Sequence, residues 1–188
     1  MDRSEIIQKI TEFADQAHGC QTRKYTSERY IVHPLRVMEI CHSYTDKLSI
    51  LAAAILHDVI EDTPLSKDDI SQFLGTVMNN NDRNLTVQLV VELTDVYTKK
   101  DFPKFNRYKR KKMELERLRE ISAQAQTIKY ADIIDNSIEI PRHDPSFSKR
   151  YLGECRDILF ALDKGNLELH RRALALVVEE LGKTQRES

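Results

Sequence analysis

Between Leu48 and Ile60 the chain reads Leu-Ser-Ile-Leu-Ala-Ala-Ala-Ile-Leu-His-Asp-Val-Ile, apolar nearly all round until a histidine and an aspartate interrupt it. A helix without a polar face must be enclosed by others, so this segment predicts the central rod of a helical bundle. Thr63-Pro64 should end it, because the residue before a proline is pushed out of helical geometry. Elsewhere apolar residues recur at helical rather than alternating spacing, and only five glycines and five prolines punctuate the 188 residues. The fold class expected is all-α, with residues 1–188 forming a single domain, since the length suits one sizeable core.

Ser4 precedes a first helix carrying Ile6, Ile7, Ile10, Phe13, Ala14 and Ala17 on one face, with Gly19 as its stop. Arg23 to Tyr30 is polar and reads as a loop. Pro34 suits the first turn of a helix through Leu35, Val37, Met38 and Ile40, which puts His33 at or before its start. Further helices are expected at about 66–74, 85–97, 105–120, 123–140, 147–162 and 167–181, with loops at 79–84 and 99–104.

The central helix closes on His57, Asp58, Glu61 and Asp62. Positions 57 and 61 are one turn apart, as are 58 and 62, giving a two-column polar patch at the end of an apolar rod. Acids in a last turn face the negative end of the helix dipole, at a cost of up to about 1 kcal/mol each when exposed. A bound cation reverses that sign. The alternative is a helix end that simply emerges into solvent. His33 and Asp132 are further potential ligands, and Asn136 lies one turn beyond Asp132 on the same face. Two imidazoles and two carboxylates suit Mn²⁺, Fe²⁺ or Zn²⁺, and open positions for water favour a five- or six-coordinate Mn²⁺ or Fe²⁺.

Lys+Arg 29 against Asp+Glu 30 leaves a net charge of −1, so no global field draws in a polyanion and nucleic acid is not favoured as a partner. The basic run Arg107, Lys109, Arg110, Lys111 and Lys112 could reach phosphates, but Glu114, Glu116 and Glu120 at helical spacing suit a salt-bridged, solvated face better. Lys129, one turn before Asp132, can pair with it or with neighbouring carboxylates; His143 and His170 read as surface or packing residues. Cys20, Cys41 and Cys155 are odd in number and show no C-x-x-C pairing, which fits core residues in a reducing compartment. Neither a leader pattern nor an apolar run of membrane-spanning length is present, so a cytoplasmic protein without a membrane partner is expected. Oligomeric state is left open.

Three segments then carry a resemblance: Tyr30-Ile31-Val32-His33-Pro34, Ala53-Ala54-Ile55-Leu56-His57-Asp58-Val59-Ile60-Glu61-Asp62-Thr63, and Ile128-Lys129-Tyr130-Ala131-Asp132 with Asn136. In order and separation they resemble the HD-domain phosphohydrolases, and within them the hydrolase domain of the RelA/SpoT alarmone enzymes and their stand-alone small relatives. The extended His-Asp-x-x-Glu-Asp-Thr motif marks that branch, and the resemblance covers about residues 5–145, leaving 146–188 as C-terminal helices. It implies a helical HD-domain bundle with His33, His57, Asp58 and Asp132 as ligands, usually for Mn²⁺. It implies that Glu61 and Asp62 position or deprotonate water and that Asn136 fixes the geometry. Arg23 and Lys24 match an Arg-Lys pair that contacts the nucleotide base and phosphates, against the plainer reading of two solvated basic residues.

Two departures bear on substrate rather than metal: Thr26-Ser27-Glu28-Arg29-Tyr30 replaces the usual Ser-Gly-Glu-Pro-Tyr, with an apparent one-residue insertion, and Asp132-Ile133-Ile134-Asp135-Asn136 replaces Asp-Arg-Leu-His-Asn. The implied reaction is metal-dependent hydrolysis of (p)ppGpp with release of pyrophosphate. The alternatives are a phosphatase on another nucleotide, such as the 2′-phosphate of NADPH, and a catalytically silent nucleotide-sensing module.

Overall fold

A computed structural model describes residues 1–186, and side chains through residue 184. The described residues are helical with no strand, as the 3.6-residue spacing required; a single bridge between Thr22 and Arg29 is the one extended pairing among them. The chain resolves into two compact units, Met1–Thr94 and a second beginning at Asp95.

The first unit holds α1 (Arg3–His18), α2 (Val32–His42), α3 (Leu48–Leu56), α4 (Val59–Asp62), α5 (Lys67–Leu74) and α6 (Asn80–Leu93). Helix α3 is its axis: every residue from Ser49 to Leu56 is buried, with α1, α2 and α6 packed against it. Burying side chains such as Leu51, Ile55 and Leu56 contributes about 1.5–3 kcal/mol each, which holds this rod more firmly than local propensity could.

Three boundaries differ from expectation. Asp2, not Ser4, caps α1, through a reciprocal pair of bonds with Glu5. Helix α6 begins at Asn80 because the Asn79 side chain accepts from the amides of Asn81 and Asp82, so the polar stretch expected as a loop is the cap and first turn of a helix. The rod does not run unbroken to Ile60. It stops at Leu56; Asp58 (φ −95°, ψ −5°) sits in the bridge region, and the short α4 restarts at Val59. Cys20 is exposed rather than in the core, whereas Cys41 and Cys155 are buried.

The second unit contains α7 (Arg107–Leu118), α8 (Ala123–His143), α9 (Pro145–Ala161) and α10 (Leu167–Arg186). Helices α8, α9 and α10 pack on one another, and α7 lies on α9. Tyr130 of α8, fully buried, donates to the Leu162 carbonyl (2.8 Å) and accepts from the Gly165 amide (3.3 Å). Gly165 is required there: a Cβ would stand 2.5 Å from Tyr130 Cε2 and 2.9 Å from the Thr127 nitrogen. His170 is a packing residue, bonded to the Leu159 carbonyl and edge-on to Tyr130. The basic run of α7 is salt-bridged, but to partners beyond the helix, with Arg107 on Glu154 and Lys111 on Asp95, while Glu114 and Glu116 pair with Arg117 and Arg119. No described helix is long and apolar enough to cross a membrane.

Candidate metal centre

The break after Leu56 builds the site. His57 ends α3 with its ring 5% exposed and its Nδ1 2.8 Å from the Ala54 carbonyl. A carbonyl can only accept, so the ring proton sits on Nδ1, and in the neutral ring Nε2 offers a lone pair. That Nε2 faces Asp58 Oδ2 at 3.2 Å. From the first turn of α2, His33, 1% exposed, brings its Nε2 to 3.7 Å from the same oxygen, and the two imidazoles meet edge to face at 5.2 Å.

One ligand atom from each of His33, His57 and Asp58 lies within 4.8 Å of the others. Two buried imidazoles and a carboxylate oxygen gathered within that distance fit a divalent cation with N/O ligation. The carbonyl that orients His57 is the kind of outer partner that fixes a ligating imidazole.

Asp62 joins this group through Tyr30. The Tyr30 hydroxyl is 2.8 Å from Asp58 Oδ2 and 2.7 Å from Asp62 Oδ2. The two acids therefore stand close together, as the one-turn spacing of 58 and 62 led us to expect, even though the rod itself breaks. Partial desolvation of the carboxyl, on a residue that still reaches solvent, raises the Asp62 pKa, and nearby Asp58 adds to the rise, although the Tyr30 hydroxyl opposes it. Burial, then the two carboxylates, push the Tyr30 phenol well above its ordinary value, so it stays protonated. Glu61 and Asp62, neighbours in α4, are both exposed as whole residues.

Arg23 and Lys24 sit in the loop closed by the Thr22–Arg29 bridge. The Arg23 guanidinium lies over the Tyr30 ring, 5.7 Å from its centroid. Lys24 turns to its neighbour Tyr25, with Nζ 2.7 Å from the phenol oxygen.

Asp132 and Asn136 belong to the second unit. Asp132 is 8% exposed; its Oδ1 accepts from Asn136 Nδ2 (2.6 Å) and its Oδ2 from Lys129 Nζ (2.9 Å). The shared face expected of 132 and 136 is present, and Lys129 makes the first of the two pairings open to it.

Sequence reasoning gave no role to Tyr30, His18 or Gln21. Tyr30 was visible only as part of a motif. His18 continues the buried stripe Ile6, Ile10, Ala14 by one more turn, so the apolar face of α1 ends on a histidine, and that extension was the available signal. The His18 ring stacks on Tyr30 with centroids 4.4 Å apart; its Nδ1 bonds Gln21 Oε1 (3.0 Å), and Gln21 Nε2 donates to the Asp62 carbonyl (2.7 Å).

A family model described as HD domain matches residues 30–137. The chain is 32% identical over 184 residues to guanosine-3′,5′-bis(diphosphate) 3′-pyrophosphohydrolase of Vibrio cholerae serotype O1, covering 95% of this chain and 24% of that one. It is 32% identical over 144 residues to guanosine-3′,5′-bis(diphosphate) 3′-pyrophosphohydrolase MESH1 of Xenopus tropicalis, 74% of this chain and 72% of that protein. Against the first long curated relatives it spans only 9–24% of their length. A solved structure of a metazoan ortholog of SpoT, described as hydrolysing ppGpp, superposes with a TM-score of 0.69 at 23% identity over 97% of this chain and 94% of that one, a likeness of fold.

Proposed function

Because the chain belongs to the HD-domain family, we propose that it is a metal-dependent phosphohydrolase that removes the 3′-pyrophosphate of (p)ppGpp. The observation that carries this reading is the cluster of ligand atoms from His33, His57 and Asp58, all within 4.8 Å of one another. The substrate is taken from the relatives, above all from the MESH1 protein, of which this chain covers nearly three quarters. Residues 1–188 are read as one HD-type domain, of which the family match covers 30–137.

His33, His57 and Asp58 would hold the cation, with Asp132 assigned as a fourth ligand on its motif and Asn136 as the residue that orients it. Mn²⁺ is the ion proposed, on the resemblance; positions left open for water suit it or Fe²⁺ better than tetrahedral Zn²⁺. Bound there, the cation supplies a Lewis acid that activates water and draws charge from a phosphoryl oxygen. The remaining chemistry belongs to side chains. Asp62, whose carboxyl pKa desolvation raises, takes the proton of the attacking water, with Glu61 beside it orienting that water. Water adds to the phosphorus joined to the ribose 3′ oxygen, the P–O3′ bond breaks, and the leaving oxygen is protonated as pyrophosphate departs. Arg23, whose guanidinium packs on Tyr30, and Lys24 after it would contact the base and phosphates of the nucleotide.

The test is a product-resolved time course of the purified protein with Mn²⁺ against ppGpp, pppGpp and NADPH. The expected result is pyrophosphate from the first two, lost in Asp58→Ala. Orthophosphate from NADPH alone moves the assignment to a nucleotide phosphatase, and tight nucleotide binding without turnover makes the protein a sensor.

A further inference from the structure

We propose that Tyr30 is a positioning residue for this centre: its single hydroxyl hydrogen, within reach of both Asp58 and Asp62, goes to Asp62 when a cation occupies Asp58, and so aims the carboxylate that works on water. The inference rests on the metal-dependent reading above and adds to it the device that sets Asp62.

The geometry carries it. A phenol has one hydrogen, yet the Tyr30 oxygen stands 2.8 Å from one carboxylate oxygen and 2.7 Å from the other, so only one of the two can receive that hydrogen at a time. The same Asp58 oxygen is the one both imidazoles face, which makes it the oxygen a cation would claim. Once it is claimed, Asp62 is the remaining acceptor. The ring has little freedom to leave, being stacked on buried His18, covered by the Arg23 guanidinium and edge-on to His33 at 6.3 Å.

Asp62 is held from its backbone as well. Gln21 donates to the Asp62 carbonyl, and because that bond fixes which end of the amide is nitrogen, Gln21 Oε1 is the acceptor for a proton on His18 Nδ1. His18 thus links the two supports, flanking the tyrosine with its ring and steadying the glutamine with its nitrogen. Tyr30 and Gln21 fix Asp62 at side chain and main chain respectively, and neither needs to touch substrate.

Outer partners of this kind are worth about 10- to 100-fold in activity. Tyr30→Phe keeps the ring and its stacking and deletes only the shared hydroxyl. The experiment measures three quantities on wild type, Tyr30→Phe, Asp62→Asn and the double variant: Mn²⁺ affinity by calorimetry, melting temperature, and kcat and KM on ppGpp.

The expected result is that Tyr30→Phe binds Mn²⁺ within about threefold of wild type and keeps KM, while kcat falls about 10- to 100-fold. In the Asp62→Asn background, adding Tyr30→Phe should then cost less than threefold, because the residue it serves is already gone. Undiminished kcat in Tyr30→Phe, full additivity with Asp62→Asn, or loss of Mn²⁺ affinity matching the loss of kcat each overturns the proposal while leaving a hydrolysing wild type intact. A wild type that binds no Mn²⁺ and releases no pyrophosphate overturns the functional reading and this inference with it.

Discussion

Asp95 faces three cations of its own unit. Burial alone would raise its pKa, but Lys129, Lys111 and then Arg117 outweigh burial and hold the carboxyl below its usual 3.8. With the folded value below the unfolded one, the unfolded chain binds more protons in the interval between them, so stability rises with pH there. The contribution is complete above about pH 4 and is lost as pH falls through the lowered value. Asp95→Asn should therefore melt below wild type by a constant margin from about pH 7 to pH 5, and the margin should close in more acid buffer. Thermal melts across that range check it; a gap independent of pH down to acid would mean that Asp95 acts by packing alone. None of this was legible in the chain. Asp95 stands in no motif, and its partners at 111, 117 and 129 are brought to it only by folding.

The elements were easier to read, except where a short-range bond decided the matter. The apolar sequence of α3 gave its burial directly, because a helix lacking a polar side has only one kind of surroundings available to it. The start of α6 was hidden by the run Asn79-Asn80-Asn81-Asp82, whose composition suits a loop but whose first amide side chain takes up two orphan N–H groups. Asn79→Ala should cost about 1 kcal/mol of stability, as read by denaturant unfolding, and Asn79→Asp should restore most of it. The break between α3 and α4 was less visible still. Helical spacing rightly brings 58 and 62 together, since the Asp62 amide still bonds the Asp58 carbonyl at 2.9 Å, and it says nothing about the turn at His57–Asp58 that aims the doublet.

For the molecule as a whole, near-balanced charge leaves its ionic chemistry to local clusters rather than to a long-range field. A site that only the folded chain presents must also stabilise it when filled. Mn²⁺ at about 100 times its Kd adds about 2.7 kcal/mol, or roughly 5–10 °C in Tm for a chain of this size. Calorimetric scans should show that rise, its reversal by a chelator, and its absence in His57→Ala. Residue types and spacing indicated His33, His57 and Asp58, because buried imidazoles and acids are costly without a shared purpose. Tyr30, His18 and Gln21 escaped because each is an ordinary residue until its neighbours are known.

The burial of α3 also bears on how such a protein can diversify. Every position from Ser49 to Leu56 is enclosed, so exchanges there are constrained by volume and polarity before they can touch chemistry. The loop from 22 to 29, tied at its ends by one bridge and mostly open to solvent, carries Arg23 and Lys24 and has far more freedom to vary. Exchanges among the eight residues from 22 to 29 can therefore reshape the surface around Arg23 and Lys24 while the enclosed α3 keeps its packing unchanged.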